Sequence, residues 1–420
     1  MLEPTTGLTW AFSLLLMAVT ATQLWLLSRQ TRHVNQHRAA VPSAFAQTIP
    51  LAAHQKAADY TLAKGRLSLV EVTWQAALVL GWTLLGGLNS LNQWLLNILS
   101  AGLWQQLALV GAFALVGGLL DAPLAWYRTF RLEEHHGFNR TVLKDWLLDG
   151  LKGGVVATVI GLPIVALVLS LMASAGALWW LWAWGCFMAF NVLLMVIYPT
   201  LIAPLFNSFK PLEDNVLKDR VTQLMARCGF KAKGLFVMDG SRRSAHANAY
   251  FTGLGAAKRV VFYDTLLAQL SPDEVDAVLA HELGHFHHRH IRQRMVTMAV
   301  LALGGFAMLG WLSGQSWFYL GLGVEPNLQG SSDALALLLF MLVVPLLTFY
   351  LSPLMAVKSR RDEFEADQFA ASKADGSALR SALLKLHQDN ATTLTPDPWF
   401  VWFYYSHPPA SERLAKLQPA

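Results

Sequence analysis

Gly153 to Ala175 reads GGVVATVIGLPIVALVLSLMASA, an apolar run without one charged side chain. A helix of about 20 such residues, rising about 1.5 Å per residue, crosses the hydrocarbon core of a bilayer. Outward from this stretch, six more runs of the same kind stand at about 8–27, 69–89, 104–126, 177–203, 297–319 and 334–356. Composition agrees, because 14% of residues are charged and 54% are hydrophobic, whereas soluble domains carry about 25% charged residues. The expected fold class is therefore mainly α, a polytopic membrane protein with about seven transmembrane helices. The first run has only Glu3 before it and Arg29, Arg32 and Arg38 after it. A secretory leader has its positive charges in front, so this run is expected to stay as a helix.

The loop charges test that count. Arg29, Arg32, Arg38, Lys56, Lys64 and Arg66 fill the loop at 28–68, and Arg128, Arg131, Arg140, Lys144 and Lys152 fill the one at 127–152. The connections at 90–103, near 176 and at 320–333 contain no Lys or Arg, and Lys358, Arg360 and Arg361 follow the last run directly. Basic and non-basic loops alternate without a break, as the retention of Lys and Arg on the cytoplasmic side requires. This places the amino terminus outside and the carboxyl terminus in the cytoplasm. The formal net charge of +5 is spread over these loops and not gathered into one stripe, so no nucleic-acid partner is expected. Cys186 and Cys228 lie far apart in different contexts and are expected to be free thiols.

Two substantial polar regions remain, at 207–295 and 357–420. The first has a polar helix near 213–228 and short β-like runs at Leu235–Met238, Ala247–Phe251 and Arg259–Tyr263, punctuated by Gly234, Gly240, Gly253 and Gly255. Ser271-Pro272-Asp273-Glu274 then marks a helix start: Ser as N-cap, Pro at the first helical position, and Glu three residues after the cap. The helix should run through His281-Glu282-Leu283-Gly284-His285 and could continue into the sixth apolar run.

On that helix His281 and His285 project from one face, one turn apart. Two imidazoles so placed can bind one tetrahedral Zn²⁺. Glu282, about 100° round the helix, can reach a water at the metal without binding the metal itself. Gly284 is expected to remove side-chain bulk beside the ion. His287, His288 and His290 read as a solvated or interfacial stretch. A catalytic zinc needs a third protein ligand, and the acidic run Asp362-Glu363-Phe364-Glu365-Ala366-Asp367 offers one. Glu363 and Asp367 share a helical face, so one can ligate while the other receives the outer N–H of a ligand histidine. Spacing alone does not rank Glu363, Glu365 and Asp367.

Further segments stand in order around these: Glu133-Glu134-His135-His136-Gly137-Phe138-Asn139, Pro204-Leu205-Phe206-Asn207, Asn248-Ala249-Tyr250-Phe251, Tyr263-Asp264-Thr265-Leu266-Leu267 and Ser406-His407-Pro408. With the zinc helix and the Glu363–Asp367 run, they make the chain resemble the type I CAAX prenyl protease family of integral-membrane zinc metalloendopeptidases. The likeness runs from about residue 128 to the carboxyl end; the first two spans match only in hydrophobicity. The resemblance implies His281, His285 and Glu363 as ligands of one Zn²⁺ per chain, Glu282 as catalytic base, and Asp367 behind a ligand histidine. It implies that His407 donates to the oxyanion, and that Asn248, Ala249 and Tyr250 bind substrate along an edge strand. It also implies a chamber enclosed by the seven helices, with the zinc site facing it.

The expected organisation is an amino-terminal membrane domain of five helices (1–206), a cytoplasmic zincin-like region with a small β-sheet (207–295), helices six and seven (296–357), and a carboxyl-terminal catalytic region (358–420). The expected partners are membrane lipid and a peptide or protein substrate, with or without a lipid attached. The length, and an ending at Ala420 without a retrieval signal, suit a prokaryotic homologue in a bacterial inner membrane. Two other functions compete. A quality-control protease of the heat-shock type shares the zinc motif but has fewer spans and lacks the Glu133–Asn139 element. A membrane metal transporter or non-catalytic zinc scaffold would place ligands near mid-bilayer or have no use for Glu282.

Overall fold

The computed structural model describes residues 3–230, 234–252 and 259–417. Gly253, Gly255 and Ala420 lie outside the described residues. The protein is an integral membrane protein, mainly helical, with a small mixed sheet. The amino-terminal half contains α1 (Pro4–His37), α2 (Leu51–Trp82), α3 (Gly87–Leu96), α4 (Leu103–Tyr127), α5 (Leu143–Ser174) and α6 (Trp179–Ile197). Among the described residues, five helical stretches are long and apolar enough to cross a membrane: Pro4–His37, Leu103–Glu133, Leu143–Ser174, Gly176–Leu205 and His290–Leu312. Two bent pairs bring the number to seven, Leu51–Trp82 with Gly87–Leu96 at 46° and Asp333–Phe349 with Ser352–Lys373 at 64°. Each overlaps one apolar run.

The acidic side chains Glu71 and Asp121, in and near the spans, are paired. Glu71 pairs with Arg128, and Asp121 Oδ1 accepts from Trp74 Nε1 at 3.1 Å and Gln75 Nε2 at 3.0 Å. In hydrocarbon an unpaired carboxylate is expensive, which explains why these few acidic groups find donors on neighbouring helices. Cys186 and Cys228 are free thiols.

Four strands follow among the described residues: β1 (Phe209–Pro211), β2 (Gly234–Met238), β3 (Ala249–Thr252) and β4 (Arg259–Tyr263), in the order β1-β2-β4-β3. β2 and β4 are parallel; β1 and β3 run antiparallel to their neighbours and form the edges. Between β1 and β2 lies α7 (Asn215–Arg227), capped by Asp214, whose side chain accepts from the Val216 and Leu217 N–H groups. Next come α8 (Asp264–Gln269), α9 (Pro272–His287), α10 (His290–Leu312), α11 (Ser316–Gly321), α12 (Asp333–Phe349) and α13 (Ser352–Lys373). The chain closes with α14 (Gly376–Asp389), α15 (Pro398–Tyr404) and α16 (Ala410–Lys416).

Two expectations need correction. The zinc helix does not continue into the sixth span: α9 stops at His287, and Arg289 adopts a left-handed conformation (φ 58°) before α10 starts at His290. The seventh run, read as 334–356, is split. Pro353 lacks a backbone N–H and suits the first turn of a new helix better than the interior of an old one, so α12 ends at Phe349 and α13 departs at 64°. The acidic run, in which Glu363 and Asp367 were expected to share a helical face, is carried on α13.

α9 is anchored on both sides. Val275, Leu279 and Leu283 are almost fully buried in a core that includes Val260 and Phe262 of β4 and Leu379 of α14. Each such side chain contributes about 1.5–3 kcal/mol, and truncating Leu283 to Ala would cost about 2–5 kcal/mol. A separate apolar core joins α1, α3, α4, α5, α11 and α12 within the membrane region.

Candidate metal centre

The residues that begin α9 explain its rigidity. Ser271 Oγ accepts from the Glu274 N–H, and Glu274 Oε2 accepts from the Ser271 N–H at 2.7 Å, a reciprocal capping box. Glu274 is buried and also accepts from Lys385 Nζ at 2.7 Å and Ser381 Oγ at 2.6 Å, tying α9 to α14. Burial works to raise the pKa of Glu274, and the Lys385, Ser381 and Ser271 donors outweigh it, lowering it to about 2.

Two turns further along, His281 and His285 face α13. His281 Nε2 lies 3.3 Å from Glu363 Oε2, and His285 Nε2 lies 3.4 Å from Glu363 Oε1. One ligand atom from each of the three residues falls within 4.8 Å of the others, a grouping that could hold a metal ion. Four ligands at about 2.0–2.1 Å around a tetrahedral zinc stand roughly 3.3 Å apart, so these separations suit the ion. Glu363 is buried, and its Oε2 has no hydrogen-bond partner among the described residues. A buried carboxylate oxygen so placed is costly unless a cation meets it. Two neutral nitrogens and one carboxylate also match the donor set of catalytic zinc.

The outer nitrogen of each ring is held as well. His281 Nδ1–H donates to Asp367 Oδ1 at 2.8 Å, which leaves Nε2, the nitrogen nearer Glu363, as the one that can offer a lone pair to a metal ion. Asp367 in turn accepts from Arg413 Nε at 2.7 Å and from Arg413 Nη2 at 2.5 Å. Burial works to lower the His281 pKa, and the carboxylates of Asp367 and Glu363 outweigh it, raising the ring to about 9. The two carboxylates thus favour a cation at this point, whether a proton on the ring or a bound metal ion. Burial raises the pKa of the partly exposed Glu282 carboxyl, with His281 and His285 opposing.

Gly284 has a different purpose from the one expected. A Cβ there would stand 2.9 Å from Ala366 Cα and 3.1 Å from the Ala366 carbonyl oxygen. The absent side chain lets α9 and α13 touch backbone to backbone, which is what brings Glu363 up to both imidazoles. His290 is also corrected: it is buried, 1% exposed, and its Nδ1 sits 3.0 Å from His285 Nδ1.

His407 lies on the open side of the cluster, its Nε2 3.5 Å from Glu363 Oε1 and its side chain 65% exposed. Asn248 precedes β3; its carbonyl accepts from the Tyr263 N–H at 3.0 Å and its Oδ1 accepts from the Ala249 N–H. Among the described residues β3 pairs with β4 alone, and it packs against α9. Ala249 and Tyr250 therefore stand on an edge strand packed against the helix that carries His281 and His285.

Arg413 escaped the sequence reading. It sits on α16 six residues after His407, and a lone Arg between the buried Ala410 and Leu414 was the available signal. The Glu133–Asn139 segment also acquires a place. Glu133 accepts from Tyr60 Oη at 2.7 and 2.9 Å, Phe138 stacks on His246, and Asn139 bridges to Ser244. The segment thus braces the chain that leads into β3.

Comparison with known proteins agrees with this geometry. Residues 30–208 match the model described as CAAX prenyl protease N-terminal, five membrane helices, and residues 211–420 match Peptidase family M48. The chain is 35% identical over 328 residues to the CAAX prenyl protease 1 homolog of Oryza sativa subsp. japonica, covering 76% of each chain. It is 35% identical over 327 residues to CAAX prenyl protease 1 of Saccharomyces cerevisiae, covering 74% of this chain and 72% of that one. The crystal structure of S. mikatae Ste24p superposes with a TM-score of 0.92 at 30% identity, over 98% of this chain and 99% of that one.

Proposed function

The chain belongs to the CAAX prenyl protease 1 family of M48 metallopeptidases, and from that premise we propose that it is a zinc endopeptidase cleaving membrane-associated peptides near a prenylated carboxyl-terminal cysteine. The observation that carries the reading is the convergence of His281 Nε2 and His285 Nε2 on the two oxygens of Glu363. In this reading the three residues hold one Zn²⁺ per chain.

Zinc, when bound, supplies Lewis-acid chemistry that acidifies a water and polarises the scissile carbonyl. Glu282 takes the proton of the attacking water and delivers it to the leaving nitrogen. Its raised pKa suits it to hold that proton between the two steps. His407, on the open side of Glu363, donates to the oxyanion that forms at the substrate carbonyl. Asp367, gripped by Arg413, keeps the proton of His281 on Nδ1. The free edge of β3 at Ala249 and Tyr250 pairs with an extended substrate backbone, and Asn248 anchors its end. Backbone pairing suits substrates of varied side chains. The alternation of basic and non-basic loops supports a cytoplasmic catalytic face.

The test uses the full purified chain with zinc on prenylated and unprenylated peptides of the same sequence. The wild type should cleave, with preference for the prenylated form. Glu282→Gln should retain zinc and lose at least about 10²–10⁴-fold in rate. Wild-type cleavage by Glu282→Gln removes the assigned base.

A further inference from the structure

The break between α9 and α10 interrupts what hydropathy would allow to be one long helix, and it places a buried histidine against a ligand histidine. In an unbroken helix His290, five residues after His285, would lie about 140° away around the axis. The left-handed Arg289 turns the chain back, so that His290 Nδ1 meets His285 Nδ1 at 3.0 Å.

We propose that His290 is a positioning residue for the zinc ligand His285, the middle link of a relay from His285 through His290 to Glu365. The proton placement follows from the geometry. His285 directs Nε2 at Glu363, 3.4 Å away. For that nitrogen to offer a lone pair, the neutral ring carries its proton on Nδ1. His285 Nδ1–H then donates to His290 Nδ1, which is buried and has to accept. His290 therefore carries its own proton on Nε2, which donates to Glu365 Oε2 at 3.2 Å, with Asp362 Oδ1 at 3.8 Å. Arg361 Nε holds the other oxygen of Glu365 at 3.1 Å. Every ring nitrogen has one role, and reversing any link leaves two donors or two acceptors facing each other.

The two ligand histidines are thus supported differently. His281 has a carboxylate directly behind it, whereas His285 has a neutral imidazole, with the carboxylate one ring further away. Both supporting acids come from α13, the helix that also supplies Glu363. One rigid element therefore places a ligand and fixes both ligand tautomers, a pattern in which the outer partners matter nearly as much as the ligands.

The inference rests on the zinc reading above, and the experiment separates the two. Zinc affinity is measured on the full chain in detergent by competition with a chromophoric chelator, and the visible absorption of the cobalt-substituted protein is recorded beside it. Wild type should bind zinc and His285→Ala should not; if wild type binds none, the zinc reading itself fails. His290→Phe fills the space without an acceptor and should bind zinc about 10–100-fold more weakly, with an altered cobalt band. His290→Gln offers an acceptor oxygen and a donor nitrogen in the same place and should recover most of that loss. Glu365→Ala, whose side chain is 35% exposed and tolerates truncation, should lose roughly 3–10-fold, since Asp362 remains near His290. Wild-type affinity and cobalt spectrum in His290→Phe overturn the proposal, as does equal damage from Phe and Gln. Should His290→Phe fail to fold, unchanged affinity in Glu365→Ala overturns it instead.

Discussion

Gly284→Ala adds one methyl group where two helices touch. The new Cβ would lie 2.9 Å from Ala366 Cα and 3.1 Å from its carbonyl oxygen, both backbone atoms. Relaxed carbon contacts lie at about 3.5–4.0 Å, so α9 and α13 must separate locally by roughly 0.6–1 Å. Ligand distances in a zinc site tolerate only about ±0.2 Å. Glu363 lies three residues before Ala366 and Asp367 one after it, so the displacement falls directly on a ligand and on the support of His281. Overpacking of this kind costs about 1–3 kcal/mol, and better helix propensity returns up to about 1 kcal/mol. The fold should survive with a modest loss of stability, while zinc affinity should drop at least about tenfold, or roughly 1.4 kcal/mol. The assay is chelator competition alongside thermal unfolding. Adding Ala366→Gly should rescue little, because the Ala366 Cβ is only the third-nearest atom at 3.3 Å. Undiminished zinc binding by Gly284→Ala would show that the helix contact does not set the ligand geometry.

Other predictions follow from the supports around the site. Glu274 has a pKa lowered to about 2, so its contribution is fully present above its ordinary value of about 4.5 and is lost as pH falls towards 2. Glu274→Gln should destabilise the protein at neutral pH by about 2 kcal/mol, a figure reduced for the solvent around the half-exposed Lys385, and flatten the acid-unfolding curve in that window. Arg413→Met leaves buried Asp367 without its bidentate partner and should cost about 3–5 kcal/mol, read by unfolding, with zinc affinity falling as His281 loosens. Tyr60→Phe removes the hydroxyl that donates to Glu133 and should cost about 1–3 kcal/mol. Its effect on cleavage should appear mainly in KM, since the segment it braces leads to β3 and not to the cluster.

Much of this architecture is legible in residues alone, for identifiable reasons. Hydrocarbon imposes a length rule on every span, so each of the seven apolar runs overlaps a helix, or a bent pair of helices, long and apolar enough to cross a membrane. Ser271 to Glu274 announced a helix because capping is local chemistry, and His281, Glu282 and His285 then followed by periodicity. What stayed hidden depends on contacts distant in sequence. Arg289 is not a residue type that announces a left-handed turn, so the break before α10 and the burial of His290 could not be read. Local sequence treats Glu363 and Glu365 alike; it is the packing of α13 on α9 that brings Glu363, and not Glu365, within 3.4 Å of the two imidazoles. β1 has three residues and ends in Pro211, leaving no periodic signal. Gly284 was read as relief beside an ion because its neighbour across the interface, Ala366, is 82 positions away.

X-ray absorption at the zinc edge of the purified chain, with metal analysis, tests the central claim most directly. The account predicts one zinc per chain, bound by two imidazole nitrogens and a carboxylate oxygen, and loss of that metal in Glu363→Ala. A coordination sphere without imidazole, or Glu363→Ala holding zinc as firmly as the wild type, would contradict it.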